Sequence, residues 1–386
     1  MNKILSTVLG ILILVSIIPV VSTASTSLPL TIPKGFKVVG ELPSNAVVQV
    51  SIYIPLKNVN LLQSLAVEVS TPGSPMYHKF LNYKEIEKIF LPVHEYERLL
   101  NYLENYNLTV IATALDSSIV VQGTVAQLEK ALGIRFLLLS NGTVEYYEGV
   151  GNVKIPGVTL LATNYTMLLF SHPRFIIEAK QNFTEILAAY NLPQLASAYN
   201  ATPLYKEGYY GNGTNVGIID FFGDPDILQQ LAYFDHEYNL PPPPSIKIVP
   251  IGEYNPYCGL LTGWAIEESL DVEAVHSMAP MANITIYNPS IGDLATIIGC
   301  IDQQHKVDIV SMSFGIPESE IEGNPSLIAM VIQTEYYFML GTLEGITFVA
   351  SSGDGGGEEY SIGQPIGGVS WPAISPFVTA VGGTTV

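Results

Sequence analysis

Two carboxylic acids four residues apart are the side chains of this sequence best placed to do chemistry. Glu267 and Asp271 lie in a stretch that predicts a buried helix. Residues at that spacing stack on one helix face, with Cβ atoms about 5–6 Å apart, and two such carboxyls can share a proton. A third acid, Asp354, follows an apolar strand in the turn SSGDGGG at residues 351–357. Together they predict acid chemistry on an α/β scaffold.

Both features also have a structural reading that involves no chemistry. Acidic pairs at i and i+4 commonly mark a solvated helix face, and aspartate is common in turns beside glycine. The Glu267 helix has apolar residues at positions 266, 270, 272, 275 and 278, and Pro280 ends it. We therefore expect Glu268 and Glu273 to form its solvent-exposed side.

Motifs of other hydrolases are missing from the sequence. No two of the six histidines form a His-Glu-x-x-His metal pair, and no Gly-x-Ser-x-Gly elbow accompanies His276. Asp-Thr-Gly and Asp-Ser-Gly, which are typical of aspartic proteases, do not occur. We interpret Ser351 and Ser352, which precede Asp354, as strand-end residues rather than nucleophiles.

Composition limits the class of protein. The chain has 386 residues, enough for two domains, and 48% of them are apolar. Only 13% are charged, with 35 acidic against 16 basic residues and a formal net charge of -19. This balance argues against a nucleic-acid partner, which needs a basic surface. Because carboxylates become neutral at low pH, the composition fits an acidic environment.

The N-terminus predicts export. Lys3 precedes an apolar run at residues 4–21, and small residues follow, so residues 1–24 resemble a secretory signal; an uncleaved membrane anchor is the alternative. Cys258 and Cys300 can form a disulfide in an oxidising compartment, or they are two unrelated thiols. Secretion is also favoured by Asn-x-Ser/Thr sequons at Asn107, Asn141, Asn164, Asn182, Asn200, Asn212 and Asn283.

The first half of the chain mixes strand and helix patterns. Strands are predicted at 46–54, 109–114 and 118–122, and helices at 58–70, 84–105 (in two pieces around Pro92) and 125–132. This alternation predicts a compact α+β domain with an antiparallel sheet over residues 25–172. Polar and Pro-containing sequence then predicts a linker, and a processing region, at 173–188.

From residue 189 onward, continuous apolar strands alternate with helices. That pattern predicts a doubly wound parallel sheet. The predicted strands are 216–220, 246–249, 284–287, 309–313 and 346–350, and the predicted helices are 225–238, 264–278, 294–304 and 326–343.

Five segments, in this order and spacing, resemble the sedolisins, the serine-carboxyl peptidases that include kumamolisin-like enzymes. Two lie in the first half and resemble the prodomain of that family: PGSPMYHKFL at 72–81, and VQGTV at 121–125 with LEKALG at 128–133. Three resemble its peptidase domain: IIDFFGDP at 218–225, VSMSFG at 310–315 and WPAISPFVTAVGGTT at 371–385.

The resemblance implies a subtilisin-like fold in which glutamate replaces the histidine base. It implies that Glu267 is the base, that Asp271 is its orienting partner, and that Asp354, when protonated, donates to the oxyanion. A protonated Asp271 would keep the first pKa of the pair low. The strand end Ser313, Phe314 and Gly315 would pair with an extended polypeptide substrate, and Gly315 would let it approach closely.

The resemblance also implies features that residues 1–386 do not contain. The family nucleophile is a serine in a Gly-Thr-Ser motif, and no such motif occurs here. The calcium site of the family is expected in the same missing region. We therefore expect a secreted acid endopeptidase precursor, whose prodomain at 25–172 acts as an intramolecular inhibitor and whose incomplete peptidase part, 189–386, is inactive alone. The alternative is a non-catalytic secreted glycoprotein, or a remnant, with a binding or structural role.

Overall fold

The structure is a computed structural model that describes most of the 386-residue chain. The signal segment and the linker at 173–188 lie outside the described residues. Those residues are 27–32, 35–142, 145–155, 158–162, 192–322, 324–354, 358–361 and 364–384.

The first described part contains two antiparallel four-stranded sheets, with strand orders β1-β7-β6-β2 and β4-β5-β3-β8. The strands are β1 (Ser27–Leu28), β2 (Lys37–Glu41), β3 (Val47–Tyr53), β4 (Thr109–Ala114), β5 (Ser118–Thr124), β6 (Ile134–Ser140), β7 (Glu145–Asn152) and β8 (Thr159–Ala162). The helices are α1 (Val59–Ser70), α2 (Tyr83–Phe90), α3 (Val93–Glu104) and α4 (Val125–Leu132).

The predicted α+β architecture with antiparallel strands is confirmed, and the structure adds a second antiparallel sheet. The second sheet is built around the antiparallel pair β6 and β7, which was not predicted. Strand β6 begins where α4 ends, because Gly133 adopts φ 81° and turns the chain. The start of α4 is fixed by a capping box, in which the Thr124 hydroxyl accepts from the Gln127 N–H and the Gln127 side chain accepts from the Thr124 N–H.

The second described part is built on a six-stranded parallel sheet with the order β10-β11-β9-β12-β14-β18. The sheet strands are β9 (Asn215–Ile219), β10 (Ile246–Ile251), β11 (Asn283–Pro289), β12 (Ile309–Met312), β14 (Thr347–Ser351) and β18 (Val378–Val381). The short strands are β13 (Ile316–Pro317), β15 (Glu358–Ser361), β16 (Gln364–Gly367) and β17 (Ser370–Trp371).

Helices connect these strands, so the predicted doubly wound parallel sheet is confirmed. They are α5 (Leu192–Ala198), α6 (Thr202–Lys206), α7 (Ile227–Tyr238), α8 (Pro256–Thr262), α9 (Trp264–Met278), α10 (Leu294–Gln304), α11 (Glu318–Ile321) and α12 (Pro325–Glu344). Among the described residues no helix has the length and apolarity needed to cross a membrane. Cys258 and Cys300 are both free thiols, so the disulfide is not formed.

Hydrogen bonds, several of them from hydroxyl groups, join the two parts. The sheet β4-β5-β3-β8 lies over α10 and α12. Ser117 and Tyr337 hydroxyls are 2.5 Å apart, and the Leu81 N–H donates to the Leu343 carbonyl over 2.7 Å. The Tyr53 hydroxyl also donates to the buried Asp293 carboxyl. The first part therefore covers helices on one side of the parallel sheet.

Candidate active site

The acids identified in the sequence lie around the carboxyl ends of adjacent strands. Parallel strands all end at the same edge of a sheet, where loops collect functional side chains. Ser313 directly follows β12, and Asp354 follows β14, the neighbouring strand. Glu267 and Asp271 are supplied by α9, which packs against β9, on the other side of β12. The fold thus brings residues from three distant segments to one edge.

Glu267 and Asp271 are half-buried, and each has a raised pKa. Burial, then the Asp271 carboxyl, then the Asp354 carboxyl raise the pKa of Glu267 to about 7. Burial raises the pKa of Asp271 to about 6, although its hydrogen bond with Ser313 lowers it. The Asp271 carboxyl therefore raises the pKa of Glu267. The sequence had suggested instead that Asp271 would keep the first pKa of the pair low.

Ser313 is held by the acid pair. Its hydroxyl donates to Asp271 Oδ1 over 2.9 Å, and Asp271 Oδ2 has no hydrogen-bond partner among the described residues. The side chain of Ser313 therefore anchors the end of β12 to α9, and only its backbone is available to pair with a bound chain.

Phe314 and Gly315 pack against the chain itself. The Phe314 ring lies 5.4 Å from the Phe221 ring and 6.3 Å from the Trp264 ring, between ring centroids. A Cβ on Gly315 would come within 2.8 Å of the Ser370 Cβ. Glycine is therefore required at this position by the neighbouring strand β17, whether or not a substrate also approaches.

Replacing Gly315 with alanine is expected to destabilise the protein by about 1–3 kcal/mol, because the new methyl group overlaps Ser370. The free energy of unfolding in urea would measure the loss. The matched control is Gly40→Ala, since a Cβ at Gly40 meets nothing within 4 Å. Equal effects of the two substitutions would show that the contact between Gly315 and Ser370 is unimportant.

Asp220 is a fourth acid of this cluster, and sequence reasoning assigned it no role. It follows β9, is fully buried, and neither carboxyl oxygen has a hydrogen-bond partner among the described residues. Burial and then the nearby Asp271 carboxyl raise its pKa well above the ordinary value. A charged residue at the end of an apolar parallel strand was the signal that could have identified it.

The expectation that Glu268 faces solvent is wrong. Its side chain is completely buried, and its Oε2 accepts a 2.7 Å hydrogen bond from the Asn288 amide. The apolar neighbours Ile266 and Leu270 are instead 57% and 49% exposed. The polar carboxyl enters the interior because Asn288, at the end of β11, provides a partner there.

Asp354 is the most exposed of the acids. Its charge is close enough to Glu267 to contribute to that residue's raised pKa. Hence the acid predicted for an oxyanion site and the acid predicted as a base lie in one electrostatic cluster.

Calcium has no site in the part of the chain that the structure describes. There, no group of three or more His, Cys, Asp or Glu side chains is arranged to hold a metal ion. The acids of the cluster can instead exchange protons, since Asp220 is buried, Glu267 and Asp271 are half-buried, and oxygens of Asp220 and Asp271 lack hydrogen-bond partners among the described residues.

The fold is an α/β domain of the subtilisin type, and the cluster places carboxyl groups at the carboxyl edge of its parallel sheet. Comparison with protein families gives two matches. Residues 34–160 match the pro-kumamolisin activation domain, and residues 258–386 match the subtilase family of peptidases.

Three proteins of known activity are similar to most of this chain. Kumamolisin of a Bacillus species is 27% identical over 75% of this chain and 53% of its own length. Tripeptidyl-peptidase sed4 of Aspergillus fumigatus is 24% identical over 92% and 64%, and sedolisin of a Pseudomonas species is 23% identical over 90% and 61%. A solved structure of Pseudomonas sedolisin with pseudo-iodotyrostatin is 25% identical, with a TM-score of 0.42, over 51% of this chain and 54% of that one.

Together these matches support a precursor of the sedolisin family, in which an activation prodomain precedes a subtilase-type peptidase part. The chain spans between 53% and 64% of the length of these three relatives.

Proposed function

We propose that this chain carries the prodomain and the acidic cluster of a secreted endopeptidase precursor that hydrolyses peptide bonds in acid. The observation that carries the proposal is the cluster at the carboxyl edge of the sheet, where Ser313 donates to Asp271 and where the Asp271 and Asp354 carboxyls lie close enough to Glu267 to raise its pKa. A serine nucleophile from a Gly-Thr-Ser motif would complete it, and that motif does not occur in residues 1–386.

In this proposal Glu267 is the general base. When ionised, it takes the proton of the serine hydroxyl as the oxygen attacks the carbonyl carbon, and then returns that proton to the leaving amine. Asp271 orients Glu267, and the two carboxyls share a proton. Protonated Asp354 donates a hydrogen bond to the oxyanion, an interaction typically worth 10²–10³ in rate.

Asp220 lies in the interior, next to the pair of Glu267 and Asp271. Because Asp220 is fully buried beside Asp271 and has a raised pKa, it is expected to remain protonated in acid. A neutral Asp220 avoids a second buried negative charge next to Asp271 when the pair ionises. Its role is to position and to limit charge, since it does not reach the substrate.

The substrate would be a polypeptide in an extended conformation. The free backbone at Ser313–Gly315 would pair with it by strand addition, while Ser313 and Gly315 are fixed by Asp271 and Ser370. The prodomain would act as an intramolecular inhibitor until the segment at 173–188 is cut. Export is supported by the predicted signal at 1–24 and by the sequons.

The 386-residue chain expressed alone is expected to have no peptidase activity, because no residue in it supplies the Gly-Thr-Ser nucleophile. Release of peptides from an acid-denatured protein at about pH 4 would be the assay. Joining the chain to a segment that carries the motif should restore turnover. Turnover by the chain alone that disappears in Glu267→Ala would contradict the proposed nucleophile.

A further inference from the structure

Glu268, the neighbour of the proposed base, connects three elements in the interior. The Asn288 amide Nδ2 donates both to Glu268 Oε2, over 2.7 Å, and to the main-chain carbonyl of Asp220, over 3.0 Å. Burial raises the pKa of Glu268 to about 7, while Asn288 and the nearby backbone of Asp224 lower it. One carboxyl on α9 is thus tied to the end of β11 and to the loop after β9.

Ser269, the next residue of α9, also contacts the loop after β9. The Ser269 hydroxyl lies 3.3 Å from Asp224 Oδ2, and the other oxygen of Asp224 accepts from the Asp226 N–H over 2.8 Å. Asp224 is almost fully buried. The loop from Asp220 to Asp226 is therefore held against one side of α9 by consecutive residues.

Gly223, in the same loop, packs closely against Asn288. It has φ 98°, and a Cβ at this position would lie 2.9 Å from Asn288 Oδ1. Asn288 itself is 1% exposed. The Asn288 amide group therefore has little freedom to turn away from Glu268.

A helix advances by about 100° per residue, so its rotation decides which side chains face the cleft. If α9 turned by one residue, Glu267 and Asp271 would leave the edge where Ser313 and Asp354 lie. Among the described residues, the two residues on the cleft side make one side-chain hydrogen bond to another element, from Ser313 to Asp271. The hydrogen bond of Glu268 lies on the adjacent, buried side of the helix, where the fixed loop resists rotation.

We infer that Glu268 and Asn288 form a lock that sets the rotation of α9 and thereby places Glu267 and Asp271 for catalysis. Glu268 is a positioning residue in this scheme, since it touches neither the substrate nor the reacting atoms. The inference rests on the proposed function for its purpose, but the lock itself is a property of the folded chain. The lock can therefore be tested without a substrate, and the result does not depend on whether the proposed peptidase function is correct.

The test is a carbon-13 NMR titration of the Glu267 carboxyl in the 386-residue chain. The signal is assigned from its loss in Glu267→Gln. In Glu268→Ala the helix is released, so Glu267 becomes solvated and its midpoint should fall by about one pH unit or more from the wild-type value. Glu268→Gln keeps the hydrogen bond to Asn288 and should stay within about 0.3 unit of wild type.

Glu273→Gln is the matched control, because Glu273 is partly buried on the same helix but is influenced by Asp235 instead. It should leave the Glu267 midpoint unchanged. If Glu268→Ala does not fold, Asn288→Ser decides, since serine is too short to reach Glu268 and the same fall is expected. A folded alanine or serine variant with the wild-type midpoint overturns the lock, and so does a glutamine variant that shifts as far as alanine.

Discussion

Replacing Glu267 with glutamine is expected to lower kcat by about 10⁴-fold in a polypeptide that extends this chain with the Gly-Thr-Ser nucleophile. Glutamine keeps the size of the side chain and can still hydrogen-bond, but it cannot accept the serine proton. The loss should therefore appear in kcat, with a smaller change in KM. Steady-state hydrolysis of a fluorogenic peptide near pH 5 would measure it.

Glu273→Gln is again the appropriate control, because it removes a carboxyl from the same helix without touching the cluster. We expect its kcat to remain within a few-fold of wild type. A Glu267→Gln enzyme that retains a tenth or more of the wild-type kcat would remove Glu267 from the role of base.

The stability of the folded chain is expected to fall as the pH rises from about 4 to 8. Glu267, Glu268 and Asp271 have folded pKa values of about 7, 7 and 6, against ordinary values of 4.5, 4.5 and 3.8. A raised folded pKa means that the native state binds the proton more tightly than the unfolded state does. The stability that each group contributes is therefore complete below its unfolded pKa and is lost as the pH rises through the folded one.

Glu268 offers the clearest measurement of this effect. It is completely buried, and a shift from 4.5 to about 7 corresponds to roughly 3 kcal/mol at about 1.4 kcal/mol per pH unit. In Glu268→Gln the difference between the free energies of unfolding at pH 4 and pH 8 should shrink by an amount of that order. Urea unfolding at the two pH values would measure it.

Glu97→Gln is the control for the stability experiment, because the side chain of Glu97 is 65% exposed and lies on the prodomain helix α3. This substitution should leave the pH dependence unchanged. A chain that is as stable at pH 8 as at pH 4 would show that the buried carboxyls do not hold their protons as the structure indicates.

Much of the fold could be predicted because it follows from local patterns. The helix at 264–278 and the helix at 294–304 have the predicted bounds, since apolar periodicity and the residues that end each helix are visible in the sequence. The parallel sheet could be predicted from continuous apolar strands separated by helices. The pair β6 and β7 was missed because neither strand shows strict alternation of apolar and polar residues.

The orientation of α9 could not be predicted from periodicity. Its buried side contains Ala265, Glu268, Val272 and His276, while Ile266 and Leu270 are exposed, so polarity and burial are partly reversed. The reversal depends on Asn288, twenty residues further along the chain. The anchoring of Ser313 on Asp271 likewise joins residues 42 apart, and no local pattern records such a contact.

The rate of acyl-enzyme formation as a function of pH tests the proposed glutamate base most directly. It would be measured by rapid mixing of the nucleophile-containing polypeptide with an ester or peptide substrate between about pH 3 and 8. We expect a profile whose acid limb lies at about pH 6–7, where Glu267 and Asp271 ionise. Glu267→Gln should show no acylation burst at any pH. An acylation rate without this acid limb, or a burst that survives in Glu267→Gln, would show that another group takes the serine proton.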